Sequence, residues 1–335
     1  MKKNVTMGDI ARRLSVSNVT VSKALGGKEG VSSELRERIH VLADEMGYRY
    51  NSTAKAMKNG YTCNIGILVA ERFLQVNNSF YWSLYQNVLT ELLKLNYYGI
   101  LEVLRDEDEQ ALTPPKIIQD TKVDGLIIMG QISNEYIELV SRIQEPFMFM
   151  DFYEHHHNID TVLTDNFYGN YLLTDYLIHN GHRNIGFVGN IKATSSIEDR
   201  FLGYYKALLE GDIPLNQDCI IPDRDDVGRY IGFALPQKMP TAFVCNCDEV
   251  AYRFIRALQA SGYAVPDDIS VVGFDNFMIS DISEPSITTV EVDMKAMAQA
   301  AVETIIKKIK NINYVSGRQL ISGKIVIKDS VKKIG

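Results

Sequence analysis

The sequence predicts an α/β protein in two parts: a small three-helix head that opens on a helix-turn-helix, then a large body of two doubly wound parallel-sheet subdomains. Three observations lead there. Two short capped helical patterns lie back to back in TMGDIARRLSVSNVTVSKAL, residues 6 to 25. After Thr62 the texture changes to apolar strand runs alternating with longer amphipathic helices, the pattern of parallel sheets with right-handed crossovers. Charge divides the same way, since residues 1 to 60 hold eleven Lys or Arg against six Asp or Glu, a net of +5, while residues 61 to 335 carry −12. A basic head on an acidic body is the asymmetry expected where only the head meets a polyanion. At 335 residues, 46% apolar and 23% charged, the chain is too long for one ordinary domain and too apolar for disorder.

In the head, Thr6 caps the first helix, with Asp9 three residues on as a shortened capping box, and Ile10, Ala11 and Leu14 face inward. Ser17 caps the second helix in the same way. Val16, Val21, Ala24 and Leu25 supply its apolar side and leave Asn18, Val19, Thr20, Ser22 and Lys23 elsewhere around the helix, with the first turn free to meet base edges. Two amphipathic helices of an ordinary bundle would show the same local pattern; the charge asymmetry argues against them. A third helix over residues 33 to 46 carries Leu35, Ile39 and Leu42 at helical spacing and stops at Gly47. The stretch YRYNSTAKAMKNGYT, residues 48 to 62, is polar and basic. It holds a helix-capable run from 52 to 58 too short to be stable alone and reads as a linker that folds conditionally.

In the body, strand-like runs fall at 64 to 70, 99 to 104, 125 to 129, 147 to 151, 184 to 189, 242 to 246 and 269 to 275, with helical patterns around 82 to 95, 134 to 143, 168 to 180, 199 to 210 and 248 to 261. Near-continuous hydrophobicity implies strands buried on both faces. Eleven or so strands exceed one compact sheet, so two subdomains are expected, with a ligand cleft between the carboxyl ends of their strands. No G-x-G-x-x-G after a strand, no P-loop and no G-x-S-x-G elbow is present, so no enzyme and no cofactor is expected. Cys63, Cys219, Cys245 and Cys247 read as buried thiols rather than disulfides, and Cys245 and Cys247, two apart, would point the same way if both lay in a strand. His155, His156 and His157 follow Glu154 in a loop; consecutive residues cannot all face one ion, and no metal is expected. No apolar run of signal-peptide length follows Lys2 and Lys3 and no window reaches eighteen apolar residues, so a cytoplasmic protein is expected.

The head resembles the lactose-repressor family of bacterial transcription regulators. Its pattern T-x-x-D-I-A-x-x-x-x-V-S-x-x-T-V-S is met by Thr6, Asp9, Ile10, Ala11, Val16, Ser17, Thr20, Val21 and Ser22. AKAMKNGYTCNIGIL looks like that family's hinge running into its effector domain. Downstream, GHRNIGFVG, RFLGYYKAL, CDEVA, ISVVGFD and SITTVEVD fall in the family's order and spacing. The resemblance implies that Asn18, Val19 and Lys23 read bases, Val19 by apolar contact alone and Lys23 by donating to guanine O6 or N7. Thr6, Ser17, Thr20, Ser22 and Ser32 would hold phosphates, and Tyr48 joins the DNA-contacting set. In the hinge, Met57 stands where relatives insert a leucine between base steps, Ala54 at a small close-approach position and Lys58 at a basic one. A core methionine is the competing reading of Met57. Tyr50 replaces the proline usual before Asn51.

For the body, the resemblance implies the periplasmic-binding-protein fold. The implied division is a DNA-binding domain at 1–49, a hinge at 50–62 and an effector domain at 63–335, its N-subdomain about 63–160 and 290–320 and its C-subdomain about 161–289 and 321–331. Phe80 and Tyr81 match an aromatic pair flanking the ligand, Arg200 an arginine that hydrogen-bonds effector oxygens, and Asp275 an acceptor opposite it. Such a pair suits a polyhydroxylated ligand, though an interdomain salt bridge would use the same residues. Cys247 replaces a common asparagine at the pocket rim. Arg224 lies near an often aromatic position, where a cation would favour a sugar phosphate; a surface arginine among Asp223, Asp225 and Asp226 is the competing reading. The implied function is a sequence-specific regulator, most often a repressor of carbohydrate genes, whose affinity for a pseudo-palindromic double-stranded operator is set by a small sugar or sugar phosphate. A homodimer joined through the helix near Trp82 is expected, and not a tetramer, because no leucine-heptad tail follows GKIVIKDSVKKIG. A carbohydrate-binding receptor without a regulatory role is the alternative; it would lack the basic head.

Overall fold

The computed structural model describes residues 5–48, 60–74, 80–154, 156–225 and 228–334. Two compact units result, residues 1–63 and 64–335. In the first, α1 (Met7–Leu14), α2 (Asn18–Leu25) and α3 (Ser33–Glu45) close on a small core of Ile10, Ala11, Val21, Ala24, Ile39 and Ala43. Each helix begins on a hydroxyl cap: Thr6, Ser17 and Ser32 accept from the backbone N–H groups of Asp9, Thr20 and Leu35. The capping box is complete, because Thr6 N–H donates back to the Asp9 carboxylate. Ser15 in the left-handed region makes the tight turn between α1 and α2. Arg36 on α3 fixes the far end of α2, donating to the carbonyls of Ala24 (3.0 Å) and Lys28 (2.6 Å). Gly47, at φ 68°, ends α3 in a Schellman turn: Gly47 N–H donates to Asp44 and Tyr48 N–H to Ala43.

The second unit holds two parallel sheets. The first has six strands in the order β11 (Arg318–Ile321), β5 (Thr161–Thr164), β4 (Phe147–Met150), β3 (Gly125–Met129), β1 (Asn64–Ala70), β2 (Tyr98–Leu104). The second has four, in the order β7 (Ile220–Ile221), β6 (Ile185–Val188), β8 (Ala242–Cys245), β9 (Ser270–Val272). Around the first lie α4 (Phe80–Lys94), the short α5 (Asp106–Gln110) and α6 (Lys116–Gln119), α7 (Asn134–Val140) and α12 (Met294–Lys310); with the second go α8 (Asn166–His179), α9 (Ser195–Glu210), α10 (Asp248–Ala260) and α11 (Met278–Ile282). An antiparallel pair, β10 (Thr289–Glu291) with β12 (Lys324–Val326), carries the chain between them. In each sheet the strand order turns back between the first strand and the third, which puts the crevice at their carboxyl ends.

Several expectations change. The stretch 161 to 164 is β5 of the first sheet, paired with β11 and β4, so the chain crosses to the second sheet after Thr164, a few residues beyond the expected point near 161. The strand β2 is an edge strand, largely half-buried, and not covered on both faces. Cys247 is the N-cap of α10, outside the strand that ends at Cys245, so the two thiols do not share a strand face. The cysteines form no disulfide among the described residues, with Cys219 and Cys245 buried and Cys63 and Cys247 half-buried.

Candidate functional site

At the carboxyl ends of the strands the body gathers a polar cluster. Asp151, directly after β4, accepts from the Tyr81 hydroxyl at 2.8 Å, and Tyr81 stands in the first turn of α4 with Phe80 edge-on to it at 5.4 Å. Arg200, buried on α9, donates through Nε to Asn166 (2.8 Å), through Nη1 to the Asn246 carbonyl (2.5 Å) and through Nη2 to Asp275 (3.4 Å). Its guanidinium lies 3.8 Å from the centroid of the Phe274 ring. Arg200 and Asp275 therefore both belong to the C-subdomain, and their ion pair is not an interdomain bridge. The carboxylate of the N-subdomain in this cluster is Asp151.

Burial dominates the electrostatics. It raises the Asp151 carboxyl above its ordinary range against the pull of the Arg200 guanidinium and the Tyr81 hydroxyl. Asp151 Oδ1 is buried with no hydrogen-bond partner among the described residues. Burial likewise pushes Asp275 up to about 7, with Arg200 opposing and Asp151 adding to the shift. Both aspartates hold positive φ, 67° and 116°, a strained backbone for a residue with a Cβ. The loop bearing Asp275 is anchored by buried Asp248, whose carboxylate accepts from Thr289 (2.7 Å) and from Phe277 N–H (2.9 Å). A side chain on Gly273 would run into that carboxylate, which explains the glycine in VVGFD.

Arg224 is not a surface arginine. Its side chain is 13% exposed and pairs at 2.7 Å with Asp223, which is fully buried and also accepts from Asn190 N–H and Asn246. Tyr230 lies under it at 5.1 Å and under Arg253 at 4.3 Å. Cys247, pushed up to about 12 mainly by burial, stays a neutral thiol beside this group. Sequence reasoning placed Phe80, Tyr81, Arg200, Cys247 and Asp275 here; it missed Asp151, Asn166, Asn246 and Asp248. An aspartate ending a buried strand, as in FMFMD, was the available signal for Asp151.

In the head, Thr6, Ser17, Asn18, Val19, Lys23 and Ser32 are exposed, while Thr20, Ser22 and Tyr48 are half-buried. Val19, 64% exposed on a helix whose Val21 and Ala24 are buried, projects away from the core. The Lys23 ammonium lies across the α2–α3 turn beside Gly30. Ala54, Met57 and Lys58, with Tyr50, Asn51, His155 and Asp226, lie outside the described residues. In the histidine loop, Glu154 accepts from the backbone N–H groups of His156 and His157, and no metal-ligating group of three is found among the described residues.

A head with an exposed recognition helix and a body with a buried polar cleft define a ligand-responsive DNA-binding regulator. A family model described as bacterial regulatory proteins, lacI family, matches residues 6–51, and one described as a periplasmic binding protein-like domain matches residues 174–331. The ribose operon repressor of Haemophilus influenzae is 30% identical over 97% of this chain and 98% of its own. The lac repressor dimer bound to operator and an anti-inducer superposes with a TM-score of 0.74 at 21% identity, covering 98% of this chain and 100% of that one. A LacI-family regulator from Enterococcus faecium with bound ribose gives 0.66 at 23% identity, covering 81% and 100%. The chain belongs to the lacI family of bacterial regulatory proteins. It is a DNA-binding transcriptional regulator and not an enzyme.

Proposed function

We propose that this protein is a cytoplasmic homodimeric repressor whose operator affinity is set by a neutral polyhydroxylated sugar held between Tyr81, Asp151, Arg200 and Asp275. One observation carries the reading: Arg200 is the one guanidinium whose charge acts on both Asp275, which it hydrogen-bonds, and buried Asp151, and Asp151 Oδ1 has no hydrogen-bond partner among the described residues. Such a site lacks donors, not acceptors. Sugar hydroxyls supply donors to the carboxylates and accept from Arg200, whereas a phosphate would add a third anion. Arg224, the extra cation that argued for an anionic effector, is neutralised by Asp223. The ribose repressor among the relatives and the ribose-bound structure support a pentose. Effector binding favours one relative placement of the two subdomains, the dimer's hinges respond, and operator affinity changes.

In the head, Asn18, Val19 and Lys23 read a half-site, and Thr6, Ser17, Thr20, Ser22, Ser32 and Tyr48 fix its register on the backbone. Calorimetric titration with ribose, neutral hexoses and ribose 5-phosphate tests the effector. Heat from a neutral sugar is expected, and heat from the phosphate alone overturns the proposal. Selection of bound DNA from a random pool, with and without the sugar, tests the regulator; enrichment of a two-half-site sequence is expected.

A further inference from the structure

Beside the effector residues, a second set of polar contacts joins the two subdomains. The Tyr153 hydroxyl, in the loop after β4, donates to Asp199 on α9 at 2.9 Å. Tyr153 N–H reaches Ser195 Oγ at 3.4 Å, and that hydroxyl donates to Gln131 Oε1, after β3, at 3.3 Å. Arg318, the first residue of β11, covers the Tyr153 ring, its guanidinium 3.7 Å from the centroid. Gln131, Tyr153 and Arg318 thus come from the six-stranded side, Ser195 and Asp199 from the other. None of them belongs to the effector cluster. Asp199 and Arg200 are consecutive on α9, about 100° apart around the helix, so one turn presents Arg200 to the effector cluster and Asp199 to these contacts. A motion that draws α9 as a whole away from the loop after β4 separates Arg200 from Asp151 and Asp199 from Tyr153 together.

We infer that the Tyr153 and Asp199 pair is a cleft latch: a contact outside the effector pocket that sets how much of the protein occupies the closed arrangement before any effector binds. It rests on the reading of the body as an effector-driven switch. A ligand that binds the closed form has its apparent affinity reduced by the fraction of closed protein, so the latch tunes effector sensitivity without touching the effector. It also sets the operator affinity of the effector-free protein.

Tyr153→Phe removes the donor and keeps the ring under Arg318. With ribose as probe on the full-length protein, the variant is expected to move the midpoint of the sugar's effect on operator binding up by roughly fivefold to tenfold, about 1 to 1.4 kcal/mol. Operator affinity at saturating ribose stays as in the wild type. Effector-free operator affinity moves further from the saturated value, whichever direction ribose drives it. Asp199→Asn gives a smaller shift of the same sign, and the double variant adds little to Tyr153→Phe. A second measurement needs no sugar: electron-spin distances between labels introduced at Lys122 and Gln217, both exposed, are expected to change in the effector-free variant. An unchanged midpoint with unchanged distances overturns the latch, as does an equal shift of both operator affinities, which marks general damage. Wild-type protein that ignores ribose sinks the effector reading instead, and the distance measurement still decides the latch.

Discussion

Asp275 illustrates how much a single carboxyl carries in this molecule. Its folded pKa, near 7, lies above the ordinary aspartate value, so the native effector-free body favours the protonated form. Through this group, stability is present at acid pH and is lost as pH rises from about 4 through about 7. A sugar hydroxyl donating to the carboxylate works in the opposite sense, because it favours the ionised form. Effector affinity is therefore expected to fall on acidification below pH 7, by up to about tenfold per pH unit, and calorimetry at pH 5.5, 6.5 and 7.5 measures it. An affinity flat across that range would remove Asp275 from the ligand's contacts. At the other end of the chain, two side chains nine residues apart make a contrast. Val19→Ala should leave head stability within about 0.5 kcal/mol, because the side chain is exposed, yet alter the sequences enriched from a DNA pool. Ile10→Ala, at a fully buried position, should cost about 2 to 5 kcal/mol, read from thermal melts of the helical signal.

The helices α8 and α9 show where packing leaves no room. A Cβ on Gly203 would collide with the backbone carbonyl of Phe167 on the neighbouring helix, and backbone cannot swing aside as a side chain can. Gly203→Ala should destabilise the body by about 1 to 3 kcal/mol, lowering its melting temperature by roughly 2 to 4 °C per kcal/mol; a variant melting with the wild type would show the helices can part. Much at this scale was legible beforehand. The capped helices of the head and strands such as NIGILVA and GLIIM carry local signals strong enough to fix their type. Among the stretches that escaped are β5, β11 and α12. Short strands such as TVLT and RQLI have too few residues to show a period; RQLI owes its place to a partner over a hundred residues away, and TVLT sits between it and β4. The helix α12 buries Met297, Ala301, Val302 and Ile305 of its own, and its pattern alone does not single it out. For the site, motif matches found Arg200 and Asp275, and the expected division put both in the C-subdomain; what they did not give is Asp151 on the facing side, since side-chain direction across a cleft is a property of the assembled fold.

For the whole molecule, the division of charge and the second copy belong together. A head of net +5 binds phosphates in a salt-dependent way, and reading two half-sites needs two heads. Exposed Trp82, Leu93, Tyr98 and Val103, on α4, its end and the edge strand β2, offer apolar surface for a second chain. Light scattering is expected to return the mass of two chains, and a mass of four would overturn the dimer. The anchoring of Asp248 bears on how such a regulator could be re-engineered. One carboxylate grips both the loop behind Asp275 and Thr289, on the strand that leads the chain back toward the first sheet. On the proposed reading, recognition and signal transmission share a fastening. On the same reading, changing sugar preference through the rim, at Arg224 or Cys247, is expected to leave that fastening alone, whereas redesign through Asp275 is expected to alter both what is bound and how strongly the binding is heard at the operator.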